Sequence, residues 1–128
     1  MDDRPIFSIG EQHAGRDIYN VARDLNINQN SSAEDMLTIF QAIQSKVGEL
    51  DIGEKDKKKI ANQIEGAKIE LEDEKPDKQS IMESLKRTGE ILKEAKTAGE
   101  TIKDIGVLVG KAALWLGTTA AKLGWIFL

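Results

Sequence analysis

The sequence predicts a mainly α fold: an N-terminal β-arm, then a three- to four-helix bundle with a hydrophobic C-terminal helix. Three observations lead there. From residue 31 to about 100, apolar side chains recur every three or four positions between helix-start signals, the spacing that lines one face of an α-helix. Residues 1–30 read differently: a short strand-like stretch at Pro5–Gly10, a near-repeat at offset seven, and Leu25–Asn30, which begins by alternating apolar with polar positions. The last quarter, Ile105–Leu128, is a greasy run interrupted only by Lys111 and Lys122. The expected division is therefore 1–30 as a self-association arm, 31–100 as a charged helical hairpin or bundle, and 101–128 as a hydrophobic helix able to enter a membrane.

In the arm, Pro5-Ile6-Phe7-Ser8-Ile9-Gly10 reads as a short strand with a glycine stop. A near-repeat at offset seven follows, in which Arg16, Asp17 and Ile18 are echoed by Arg23, Asp24 and Leu25. Leu25-Asn26-Ile27 then alternates as a half-buried strand does, and Asn and Gln can form amide ladders in β-assemblies. Two or three such strands have no core of their own. Either they pair with copies of themselves, because an open edge is a template, or they form a loosely docked tail. The first reading nominates Ile6, Phe7, Ile9, Arg16, Asp17, Ile18, Tyr19, Arg23, Asp24, Leu25 and Ile27 for self-association.

Ser31 with Glu34, or Ser32 with Asp35, makes a capping-box pattern. The helix it opens runs to about Leu50 on Met36, Leu37, Phe40, Ile43, Val47 and Leu50. Asp51 reads as the next cap, for a helix that buries Ile60, Ile64, Ala67 and Leu71. Pro76 punctuates, and Asp77 caps a third helix with Ile81, Leu85, Ile91, Leu92 and Ala95 inside. Gly99 is a break or a bend, so the last helix starts near Thr101 or continues the third as one rod. The basic run Lys55-Asp56-Lys57-Lys58-Lys59 is expected to be a solvated face.

No catalytic or cofactor chemistry emerges. The 128 residues hold no Cys and one His, and the net charge is −4, so thiol chemistry is excluded and no basic footprint for nucleic acid exists. His13 lacks the further ligands a zinc site needs. No P-loop and no G-x-S-x-G elbow occurs. The start, Met1-Asp2-Asp3-Arg4, is not that of a secretory signal.

The C-terminal run supports three readings. Lys111, Thr118 and Lys122, with Asp104 and Glu100 upstream, fall on one narrow polar seam of a helix. The run is either a core helix with snorkelling lysines, a membrane helix whose seam faces other copies or a pore, or an interfacial helix. Gly106 and Gly110 form a GxxxG pair, which lets backbones approach closely in lipid. Trp125 and Phe127 suit a membrane interface. The membrane reading nominates Gly106, Gly110, Lys111, Trp115, Thr118, Lys122, Trp125 and Phe127.

Gly15-Arg16-Asp17-Ile18 and Ala22-Arg23-Asp24-Leu25-Asn26-Ile27-Asn28, within this layout, resemble small bacterial proteins that look like companions or effectors of STAND-type (NACHT-like) defence NTPases. Phe7-Ser8-Ile9-Gly10 is also similar to amyloid signalling motifs related to RIP homotypic interaction motifs, with Ser8 where Gln is usual. Either resemblance implies signal-driven oligomerisation followed by membrane damage. The expected function is thus a non-enzymatic, pore-forming effector, in which assembly of the arm exposes the hydrophobic helix to lipid, in bacterial antiphage defence. Its partners would be copies of itself, membrane lipid and a signalling NTPase, with no nucleic acid. It would work in the cytoplasm and move to the inner membrane. The alternative is a soluble homo-oligomeric adaptor, with the last helix as bundle core and the arm bound to a signalling partner.

Overall fold

The computed structural model describes residues 16–95 and 99–117. They form five helices: α1 (Arg16–Asp24), α2 (Ala33–Gly48), α3 (Glu54–Leu71), α4 (Lys78–Glu94) and α5 (Glu100–Leu116). Helix α2 is central and packs against α1, α3 and α5, while α3 and α4 form the tightest antiparallel pair. One continuous core runs through all five, from Tyr19 and Ala22 through Phe40, Ile64 and Leu85 to Leu108 and Trp115.

The helix boundaries follow local chemistry. The Ser32 hydroxyl accepts from the Asp35 N–H at 3.1 Å, which satisfies one of the donors a helix start leaves without a partner. The Asp77 carboxylate accepts from the amides of Gln79 and Ser80 at 3.0 and 3.3 Å. Gly99 has φ +106°, a value that favours glycine, and it separates α4 from α5. The last two helices are therefore distinct, not one rod.

Two expectations need correction. Asp51 does not cap α3; Gly53 holds that position. The reason is packing: Leu50 is buried and Ile52 lies partly against the core, so the connection must dip inward before the next helix can start. The second concerns the described part of the arm, residues 16–30. From Arg16 to Asp24 it is helical, and no strand occurs among the described residues. The offset-seven echo is two turns of helix, which brings Ile18, Ala22 and Leu25 to one side, beside Tyr19. The expected strand at 25–30 is a turn. The Asn28 N–H donates to Ser31 Oγ at 2.9 Å, and Asn28 Oδ1 accepts from the Asn30 N–H at 2.7 Å, so this Asn closes its own turn and builds no ladder. The Ile6, Phe7 and Ile9 strand lies outside the described residues.

Candidate functional site

One face of the described part of the hydrophobic segment is buried, while Val107, Gly110 and Leu114 are exposed. Ile105, Leu108, Val109, Ala112, Trp115 and Leu116 turn into the core. No helix among the described residues is long and apolar enough to cross a membrane. The polar seam of α5 does not face solvent freely either; α1, the α1–α2 turn, α2 and α4 grip it in two clusters.

The first cluster lies where α1, the end of α2 and the start of α5 meet. Lys46 is buried, and its Nζ stands 3.2 Å from Asp104 Oδ2 and 3.7 Å from Glu49 Oε1. The ammonium also sits 4.7 Å from the centroid of the Tyr19 ring, a cation–π distance. Burial foremost, then the charge and hydrogen-bonding pull of the nearby Asp104 carboxylate, then Glu100, push the Tyr19 phenol above its ordinary value of 10.0, while Arg23 pulls it back. A buried ammonium without a partner would be costly; here the carboxylates and the ring compensate it.

The second cluster closes the far end of α5. Lys111 Nζ donates to the Leu25 carbonyl at 2.7 Å. The Trp115 indole N–H donates to the Ser31 carbonyl at 3.1 Å. Lys78 Nζ donates to the Trp115 carbonyl at 2.8 Å and to the Gln29 carbonyl at 3.4 Å, and lies 4.4 Å from the Trp115 ring centroid. The last carbonyls of a helix lack partners within it and favour a cation. Helix α5 carries no basic residue in its own last turn, so Lys78 of α4 supplies that charge from outside.

Comparison with known protein families, with curated proteins and with solved structures finds no match.

Of the nominated arm residues, Tyr19 and Ile27 are buried and Ile18 and Leu25 pack partly against the core. In this fold they pack into the bundle. Arg16 and Asp17 open α1, and Arg23 and Asp24 are exposed and paired with each other at 3.4 Å. Of the tail residues, Lys111 and Trp115 belong to the second cluster, Gly110 is exposed and Gly106 partly so. Thr118, Lys122, Trp125 and Phe127 lie outside the described residues. Sequence reasoning missed Lys46 and Lys78. Lys46 had a signal: it falls three residues after Ile43 and seven after Ile39, on the apolar face of α2, where a charge demands a partner. Lys78 had none, because its acceptor is a backbone carbonyl 37 residues away.

Proposed function

We propose that this chain is a non-enzymatic, self-assembling effector whose bundle clasps its hydrophobic C-terminal helix in a closed form. Assembly through the N-terminal arm releases that helix, with the residues after it, into membrane. One observation carries the reading. The segment that leads out of the arm is the same segment that grips α5, through the carbonyls of Leu25 and Ser31. A pull on the arm therefore acts on α5 directly. Each tie contributes roughly 0.5–1.5 kcal/mol net, more where a charge takes part. A handful of them is comparable to the roughly 5.5 kcal/mol that takes a two-state balance from 1:99 to 99:1. Interactions that form between copies on assembly can thus compete with the clasp. The role in antiphage defence, the signalling NTPase as trigger, and relocation from cytoplasm to inner membrane belong to the same reading.

The test is dye release from anionic liposomes by the full chain, beside a Lys78→Met/Lys111→Met pair that removes two of the ties. The expected result is leakage that the pair increases. Leakage by neither protein refutes the effector reading.

Burial of six α5 residues in the core favours a second reading, a soluble homo-oligomeric adaptor in which α5 stays in the bundle and the arm engages a partner. A single sharp species in light scattering that ignores liposomes supports it.

A further inference from the structure

Helix α1 is nine residues long, too short to persist as an isolated helix. It packs on α2 and, to a lesser extent, on α5, and it docks there through Tyr19 and Ala22, with Ile18 partly covered. The slot it fills has an ionic floor. Lys46 and Asp104 pair at 3.2 Å beside the Tyr19 ring, and that pair belongs to α2 and α5 alone. When α1 leaves, both charges stay paired and gain water, so opening the slot strands no buried ion. The connection to α2, residues 25–32, holds no regular element beyond a turn. That turn is closed by exposed local bonds, from the Asn28 N–H to Ser31 Oγ and from the Asn30 N–H to Asn28 Oδ1. Extended, these eight residues reach about 26 Å, while α1 itself is roughly 14 Å long.

We infer that the slot between α2 and α5 is also the docking site for α1 of a second copy of this chain, so that two copies associate by exchanging α1. The slot itself names its occupant. It already fits Tyr19 and Ala22 within one chain, and every contact given up in one copy is remade in the other. The balance then turns on the hinge and on the freedom lost in association, not on building a new complementary surface. Reciprocal exchange fills both slots and closes the pair.

Exchange also acts on α5. The carbonyls of Leu25 and Ser31, which hold Lys111 and Trp115, both belong to the hinge. Straightening the hinge moves these carbonyls apart, so an exchanged pair holds the far end of α5 less firmly than the single chain does. The inference builds on the effector reading by naming the contact through which copies assemble. Exchange is measured without lipid, so its failure and a failure to leak liposomes are separate results.

The chain has a single tyrosine, Tyr19, and Asp104 helps to raise its titration, so the test asks whose Asp104 it meets. One full-length chain carries Asp104→Asn and keeps Tyr19. The other carries Tyr19→Phe and an affinity tag, and keeps Asp104. The two are refolded together from denaturant at high concentration, and the dimer retained by the tag is titrated by tyrosinate absorbance. The expected midpoint rises from that of the Asp104→Asn chain alone to that of the wild type. Tyr19→Glu/Ala22→Glu in an otherwise native chain should abolish the dimer while the helical circular dichroism of α2 to α5 persists. A mixed dimer whose midpoint stays at the Asp104→Asn value overturns the inference, because Tyr19 has then kept its own slot. A dimer that survives the paired glutamates overturns it as well. If Asp104→Asn does not fold, the wild-type chain refolded in the same way still decides: monomers alone overturn the inference.

Discussion

The two sides of α2 hold their neighbours by different means. Towards α3 the contact is apolar: Ile60 and Ile64 of α3, with Ile81 and Leu85 of α4 behind it, are fully buried, as is Phe40 of α2, and the polar bridge Gln44–Glu65–Lys68 lies at the rim. Towards α1 and α5 the apolar contact is laced with Lys46, Asp104 and Tyr19, and the end of α5 is tied by Lys78 and Lys111. Apolar burial is proportional to area and indifferent to direction. Hydrogen bonds and ion pairs demand a geometry and fail together when one partner moves. The α3–α4 side is thus the platform, and the α1–α5 side the part that is both specified in register and able to open.

The apolar side is the more sensitive to a single change. Phe40→Ala removes a fully buried ring and should cost about 3–5 kcal/mol, enough to unfold much of a small bundle; loss of the cooperative melt in circular dichroism checks it. If α5 alone loosened, the platform would be misassigned. On the laced side, Asp104→Leu leaves the Lys46 ammonium without its nearer carboxylate. The expected cost is about 2–3 kcal/mol, below the usual range for a fully buried pair because the Asp104 side chain keeps some solvent contact. The double variant Lys46→Met/Asp104→Leu should recover most of that loss in a denaturant titration. Trp115→Phe keeps an aromatic ring but deletes the donor to Ser31 and leaves a gap where the larger indole sat, for about 1–2 kcal/mol. Its distinctive signature is faster amide exchange in the last turns of α5 with α3 and α4 unchanged.

The smallest effect is read without mutation. Tyr19 is the chain's only tyrosine, so tyrosinate absorbance reports it alone. Its folded value is raised above 10.0 by burial, Asp104 and Glu100, against Arg23. Folding therefore favours the protonated phenol. The stabilisation is fully present below pH 10 and is lost as pH rises through the folded value. A midpoint at or below 10.0 in the native protein would separate Tyr19 from Asp104.

Much of the platform is legible in the sequence because its information is local and periodic. Ile60, Ile64, Ala67 and Leu71 announce their face by spacing alone, and Asp77 announces a cap by type. The arm misleads for the same local reason. Leu25-Asn26-Ile27 alternates like a strand, but Ile18 and Ala22 place Leu25 on a helical side that only α2 and α5 make useful. The clasp is illegible in principle. Its acceptors are the carbonyls of Leu25, Gln29, Ser31 and Trp115, and every residue has a carbonyl. Spacing alone marks the seam of α5 as a stripe, but what faces it depends on helices brought together from distant parts of the chain.

Gly117 bears on the length of the hydrophobic run. Written out, Ile105–Leu128 has 24 residues, above the roughly 20 that a bilayer core requires. Helix α5 stops at Leu116 and Gly117 follows with φ +104°, so the described helical part of the run is twelve residues, short of that length. The backbone of one residue, Gly117, thus sets where the helical part of the run stops. A β-carbon there would meet the Gln29 amide at 3.2 Å and strain the positive φ. Alanine at 117 would therefore disfavour this helix end, with no change in the apolar character of the run.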